Sequence, residues 1–572
     1  MRIIPKKTNV SMEFFNGFTA GDVAVGFIGA VVEVAILVSN LPGKYYIMAG
    51  VLVAVALLLL KMDDERNYIF LLNILRHYAY RKKYAKTVPE KTKKHAKQSV
   101  EDVRKVIAWT GIGEGFIHYD KKYYGAVLEL PSVEFRFFSE FRQNNAIEKA
   151  LGGVLRNVNP NYAANLVKLE RPVLYDEFVQ AEYDKLESLK DACRHRILSE
   201  EELKRRIEVI YDRINYLNHL SFENKVVLPF FYLVLFDSDK NLLNNQVQTA
   251  LELLQSGEIQ ARRLDDKELA VFLKYSQTLD FDERDIEKLD PEEYFDFSLP
   301  ENLEIYAKNM VVNNVLTHNF RVVSYPMTVT NAWGAFVFDT PATKVVMKMK
   351  PMDRTKSIRA IDRSIDELRS QENSTGKASK LIDISTHIET LSELLVMLQS
   401  DSEILMDVNI YVSGYDLEGS MADPRVTVKP ENSSLPNISH LKKDIRRIYN
   451  DTNMKLNDML FLQMDAWVAG QVSGYDPREG KGRSIHSSSA SAVFPFVYTY
   501  TADRGGINLG RKNNIPVFID FFRRDNERVN SNMAIIGKSG SGKSYATKTL
   551  LTNLAAENSK IFVLEPEHEY LE

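Results

Sequence analysis

Three observations predict a multidomain protein of mixed α/β and α+β class with a helical hairpin at its amino end. Two apolar stretches, Val23 to Val38 and Tyr45 to Leu60, lie close together, separated by the turn-like Ser39-Asn40-Leu41-Pro42-Gly43-Lys44. From about Val100 onward, short apolar strand patterns alternate with stretches of helical periodicity. Near the carboxyl end, Gly537-Lys538-Ser539-Gly540-Ser541-Gly542-Lys543-Ser544 fills the pattern G-x-x-x-x-G-K-[ST].

Composition bounds the rest. A chain of 572 residues with 26% charged and 45% apolar residues is long enough for several domains, each with its own core. The net charge of −4 offers no global argument for nucleic-acid binding and leaves only local basic patches to consider. Cys193 is the single cysteine, which excludes an internal disulfide framework and any multi-cysteine metal site and fits a reducing, cytosolic side.

Each apolar stretch is slightly shorter than the roughly 20 residues that cross hydrocarbon, and Phe18, Thr19, Ala20 and Met62 extend them. They read as a membrane hairpin, with a buried helical pair in a soluble domain as the alternative. No small-residue cleavage site follows the first stretch, and a second comes at once, which argues against a signal peptide. Glu33 inside the first stretch is costly in lipid and suggests packing against a partner helix or an interfacial tilt. Arg76, Arg81, Lys82, Lys83, Lys86, Lys91, Lys93, Lys94 and Lys97 crowd the segment after the second stretch, and Arg2, Lys6 and Lys7 precede the first. Both ends are therefore expected on the cytoplasmic side of a cell membrane, with a small loop outside. The basic cluster has few interleaved aromatics beyond Tyr78, Tyr80 and Tyr84, so anionic lipid headgroups suit it better than a nucleic-acid phosphate chain.

The expected organisation is a hairpin with a basic juxtamembrane helix over 1–86, a Lys-rich linker over 87–99, an α/β domain over 100–300, a second α/β region over 301–490 and the start of a nucleotide-binding domain over 491–572. Tyr123 to Leu130 and Ala163 to Leu169 read as strands and Phe138 to Val158 as the helix between them. A long helical stretch, the arm over 175–220, breaks near Ser199, where Ser199 and Glu202 form a capping box. Leu203, Ile207, Ile210, Ile214 and Leu217 then make one apolar seam, either packed within its own domain or presented to a partner. Val226 to Phe236 reads as a buried strand, and in Lys344 to Lys350 the residues Val345, Met347 and Met349 share a face. Asp353 to Leu368 and Leu381 to Leu398 are expected helices joined by a loop over Gln371 to Lys380, and Asp407 to Val412 an expected strand. The glycine clusters Gly111-Ile112-Gly113-Glu114-Gly115 and Arg504-Gly505-Gly506-Ile507-Asn508-Leu509-Gly510 lack dinucleotide-site spacing and read as turns. His568 has no partner at metal-ligand spacing.

Around the Gly-rich octapeptide, Met533 to Ile536 is a short apolar run suited to a strand. Tyr545 to Leu554 has helical spacing, and Ile561 to Leu564 reads as a second strand. Strand, loop, helix and strand in that order make a P-loop: Gly537 to Tyr545 would bring backbone N–H donors onto phosphates at a helix N-terminus. Lys543 would meet the β/γ-phosphates of ATP, and Ser544 would offer its hydroxyl to Mg2+ as the metal ligand; these two are the candidate catalytic residues.

From about Val100 the chain resembles the type IV secretion and conjugative-transfer ATPases. The resemblance is carried by Phe494-Pro495-Phe496, Gly505-Gly506, Leu509-Gly510, Pro516 to Asp520, Asn530, Asn532, Gly537 to Ser544 and Leu564 to Tyr570, and more weakly by Ser324-Tyr325-Pro326 and Lys350 to Asp353. The first 85 or so residues resemble a PrgI-type inner-membrane subunit of the same machinery, here fused to the ATPase. Glu565 stands where relatives more often carry Asp. The resemblance implies a RecA-like P-loop domain, ATP and Mg2+ as cofactors, a homo-oligomer of hexamer type, other secretion subunits and the membrane as partners, and ATPase activity. The Walker B acid, catalytic Glu and arginine finger of the family are expected beyond residue 572, so the chain as written is expected to be inactive. A DNA-translocating coupling or FtsK-like motor and a noncatalytic membrane scaffold are the alternatives, and direct DNA contact stays open.

Overall fold

The two apolar runs near the amino end form helices α1 (Ala20–Val38) and α2 (Lys44–Leu59), which pack antiparallel. Gly29 lets them approach closely: a β-carbon there would stand 2.7 Å from a Val55 methyl, so any larger residue would push that side chain or the helix aside. The window Gly21–Val38 is long and apolar enough to cross a membrane, and little of it is buried, whereas α2 is a shorter apolar helix. A third helix, α3 (Asn67–Ala79), follows at once. The computed structural model describes residues 2–5, 20–39, 42–62, 65–87, 100–120, 122–133, 135, 138–195, 199–222, 226–374, 378–400, 403–415, 436–497, 502–512, 515–524, 528–557 and 559–564. The chain divides into one unit of Met1–Glu170 with Pro229–Tyr498 and a second of Arg171–Leu228 with Thr499–Glu572.

A single mixed sheet organises the first unit. Ten of its 15 strands come in two series: β1 (Trp109–Gly113), β2 (Phe116–Tyr119), β3 (Tyr123–Leu130), β4 (Ala164–Pro172) and β5 (Val227–Asp237), then β6 (Asn302–Ile305), β7 (Met310–Val312), β8 (Val315–Ser324), β9 (Thr343–Pro351) and β10 (Leu405–Tyr415). Their spatial order is β6-β7-β8-β10-β9-β4-β5-β3-β2-β1, so the second series repeats the first outward from the β4/β9 junction. Corresponding members match in length as well: β4 and β9 have 9 residues each and β5 and β10 have 11. At the junction the strands are antiparallel, with Met347 opposite Leu166.

Both sheet faces are covered. Val345, Met347 and Met349 share one face, as the alternation predicts, and enter a cluster with Leu166, Leu151, Val154 and Tyr449, while Val346 faces a second cluster with Tyr232, Phe272 and Trp467. Lys344 and Lys348 are therefore buried too. Their ammonium groups donate to the carbonyls of Ser276 at 2.8 Å and Tyr475 at 2.9 Å, and burial pulls them down to about 7 and about 8.

His318 on β8 is buried beside Phe320, among Leu316, Leu441 and Ile445. Burial first, then Lys442 and Arg446, lower its ionisation to about 3, against the partial support of Asp458. Because the folded value lies below the ordinary one of roughly 6.5, the unfolded chain binds the extra proton. The stability that comes from a neutral His318 is complete above that ordinary value and is lost as pH falls toward the folded one. Substituting His318→Leu should flatten this part of the acid limb. Melting temperatures followed from pH about 8 to about 4 should diverge between variant and parent below pH about 6.5; parallel curves would contradict it.

Helices α4 (Asp176–Arg194) and α5 (Glu200–Phe222) fill the interval after β4, and α6 (Arg354–Ser374) and α7 (Ala378–Ser400) fill the equivalent interval after β9. The expected loop over Gln371 to Lys380 shrinks accordingly, since 371–374 and 378–380 continue the two helices. The capping box at the α5 start is present: the Glu202 amide donates to the Ser199 hydroxyl at 3.3 Å, and the Ser199 amide to the Glu202 carboxylate at 3.2 Å. Ile210 and Ile214 are buried against Leu186 and Leu189 of α4, with Leu203 and Ile207 partly buried beside them. Leu217 joins Tyr175, Leu220 and Phe518. The seam thus packs inside its own unit.

Several other expectations change. Gly111 and Gly113 belong to β1, and only Glu114-Gly115 makes the turn into β2. Similarly, the turn at Arg504-Gly505 gives way to a strand, Ile507–Lys512, paired antiparallel with Ile515–Ile519. Met533 to Ile536 and Ile561 to Leu564 are not strands; they run without ladder partners, with Ile536 93% and Phe562 92% exposed. An apolar run becomes a strand only when a neighbour accepts its N–H and C=O groups. Four of the described basic residues are paired with acids of the same unit, Arg76 with Asp465, Arg81 with Glu101, Lys83 with Glu304 and Lys86 with Asp296, while Lys82 lies over the Tyr78 ring. Lys91, Lys93, Lys94, Lys97, Glu565 and His568 lie outside the described residues.

Candidate functional site

The Gly-rich octapeptide is an exposed loop that runs directly into α8 (Lys543–Ala556). Each glycine has its own reason. Gly540 and Gly542 hold φ of +74° and +88°, a left-handed backbone that side chains rarely adopt. A β-carbon on Gly537 would lie 2.5 Å from the Ser541 hydroxyl oxygen. The loop folds on itself: the Ser541 amide donates to the Lys538 carbonyl at 3.2 Å, and the Lys543 ammonium donates to the Gly537 carbonyl at 2.9 Å.

Gly542 caps α8 without a side chain, so the first-turn amides of Lys543, Ser544 and Tyr545 point outward from the positive end of a helix of 14 residues. Ser539, Ser544 and Tyr545 are exposed there. The structure thus brings Gly537, Lys538, Ser541 and Lys543 together and places Ser544 and Tyr545 beside them at the helix start. What the site can do chemically follows from this: donate several N–H groups and one mobile cation to an anion.

Residues 507–572 match the family model of the Helicase HerA central domain. The matched, HerA-type segment therefore spans the strand pair, the loop and α8. The comparison with curated proteins returns no match.

Sequence reasoning missed how the HerA-type segment is held. Arg213 of α5 donates to the Asn553 side chain at 3.0 Å, to the Asn553 carbonyl at 2.9 Å and to Glu557 at 2.8 Å, all at the far end of α8. Lys185 of α4 reaches Glu182, Glu557 and the Gly505 carbonyl, each at 2.7 Å. Arg213 satisfies the Asn553 carbonyl in the last turn of α8, and both cations oppose its negative end. Beside them is a cavity of about 260 Å³ lined by Phe178, Asp212, Tyr216, Gly506, Asn508 and Phe518, among others. The only local signal was Glu182 on the apolar face of α4, four and seven residues before Leu186 and Leu189. Glu182 keeps just 3% of its side chain exposed, and its carboxylate lies 3.4 Å from Arg213, so Arg213→Ala leaves it with Lys185 alone, removes the contacts to α8 and should cost roughly 2 kcal/mol. Thermal unfolding of the full chain should show the loss, and a melting temperature equal to the parent's would contradict it.

Proposed function

We propose that this chain is a membrane-anchored P-loop ATPase subunit that energises a type IV secretion or conjugation apparatus. The observation that carries the reading is the loop itself, a glycine-shaped turn feeding a helix N-terminus with Lys543 folded across it, inside a segment of HerA type. The amides of Gly537 to Tyr545 hold the phosphates of ATP, and Lys543 neutralises charge on the β/γ-phosphates. The exposed Ser544 hydroxyl beside them suits Mg2+, which keeps several waters and takes few protein ligands. Bound there, Mg2+ would draw charge from the phosphate oxygens. Helices α1 and α2 cross the bilayer as a hairpin, which leaves the sheet and the nucleotide site on one cytoplasmic side and lets subunits gather as a homo-oligomer around a channel.

A second reading, a DNA-translocating motor, is favoured by the helicase description of the matched family. Calorimetric titration of the full chain with ATP should give a heat that needs Mg2+ and that ADP competes away. The absence of binding at millimolar ATP would sink both readings. Strong stimulation of nucleotide turnover by duplex DNA alone would favour the motor, whereas stimulation by other secretion subunits would favour the secretion ATPase.

A further inference from the structure

Helix α3 has two apolar faces, and the described residues cover only one. Phe70 and His77 pack edge-on against Phe461, with ring centroids 5.5 and 5.6 Å apart, and Arg76 pairs with Asp465 at 2.8 Å. At about 100° per residue, Leu71, Leu72, Leu75 and Tyr78 fall together on an arc of about 120° on the opposite side. There they are 46%, 60%, 59% and 69% exposed. A soluble surface helix buries its apolar stripe and turns polar residues outward. This one turns leucines outward.

The height of α3 relative to the hairpin is set by Arg66, the residue that precedes it. The Arg66 guanidinium donates to the Asp22 carboxylate in the first turn of α1 at 2.9 Å and to the Leu59 carbonyl at the end of α2 at 2.5 Å. The start of α1, the end of α2 and the start of α3 are thereby fastened at one level. The 18 residues of Gly21–Val38 extend about 27 Å, close to the roughly 30 Å of a hydrocarbon core. The fastened level is thus one edge of that core. Tyr78 on the outward face stacks under Lys82, whose ammonium lies 4.7 Å from the ring centre, and aromatic rings beside cations favour the headgroup zone.

We infer that α3 lies in the bilayer interface, with Leu71, Leu72, Leu75 and Tyr78 set into the boundary between headgroups and acyl chains and its Phe70/His77 face holding the cytoplasmic body against the membrane. The inference rests on reading α1 and α2 as membrane-spanning. The helix then acts as a lipid-borne platform that fixes the distance of the sheet from the bilayer, through contacts to lipid that are hydrophobic along its length and electrostatic at Lys82.

The test uses the full chain carrying Cys193→Ser, labelled with the environment-sensitive fluorophore NBD at Leu72→Cys, at Leu75→Cys or, in α2, at Leu52→Cys, in vesicles of zwitterionic and anionic phospholipid. All three positions are exposed, so the labels displace no packing. The expected result is blue-shifted emission at 72 and 75 that is quenched more by bromines placed near the headgroups than by bromines deep in the acyl chains, with the opposite order at 52. Water-like emission at 72 and 75 with quenching at 52 would overturn the interfacial helix and leave the hairpin intact. Blue-shifted but unquenched emission at 72 and 75 would mean that a protein surface, such as a second copy of the chain, covers the face, and would also overturn it. Water-like emission at all three positions would remove the membrane hairpin and the inference with it.

Discussion

In a form of the protein extended to carry the Walker B acid and catalytic Glu expected beyond residue 572, Lys543→Ala is expected to reduce ATP hydrolysis by at least about a hundredfold, the scale on which a single charge-stabilising donor contributes to such transition states. The reason is positional. Lys543 is the first residue of α8, and its ammonium already reaches across the loop to the Gly537 carbonyl at 2.9 Å. An incoming phosphate chain replaces that carbonyl with a stronger acceptor and needs little rearrangement from the lysine. Since Lys543 is exposed and its ammonium donates, among the described residues, to one loop carbonyl, the substitution should leave folding almost untouched, so melting temperature and phosphate release separate the two effects. Activity equal to the parent's would remove the loop from the chemistry. A fall in melting temperature matching the loss of activity would make Lys543 structural instead.

The largest effect on stability is expected from Ile210→Asp. Ile210 is fully buried between α4 and α5, against Leu186 and Leu189, and a carboxylate there gains no partner from those neighbours. The loss should be about 4 kcal/mol, the sum of a missing core side chain and an unsatisfied polar group. Chemical denaturation of the full chain should show it as an early transition in the unit that holds the HerA-type segment, because α5 also supplies Arg213 to the end of α8. Retained stability together with failed assembly into a complex would instead make the seam a partner surface, against the packing observed.

Much of the fold was legible residue by residue. Tyr123 to Leu130 is a strand over the very range its pattern suggests, and Ser199 and Glu202 start a helix as their spacing requires. Val345, Met347 and Met349 share a face because side chains in a strand alternate whatever the strand's neighbours. The octapeptide was legible for the same reason, since positive φ at Gly540 and Gly542 is a property of the local backbone. Two apolar helices at the amino end were likewise readable from composition alone.

What the sequence by itself determined, then, is what depends on a few neighbouring residues: the long periodic helices and the alternating strands, where one long helix breaks in two, and the shape of the Gly-rich loop. Tertiary structure alone decided the matters that depend on partners distant along the chain. It drew strands from both halves of the chain into one sheet and laid β4 beside β9. Lys344 and Lys348 became buried because helices cover both sheet faces. Arg213 and Lys185 became the clasp on α8, and Met533 to Ile536 stayed out of any ladder. The physical reason is common to all of these: a strand edge, a buried charge or a helix end is completed by hydrogen-bond partners that lie close in space, and their sequence separation carries no local signal.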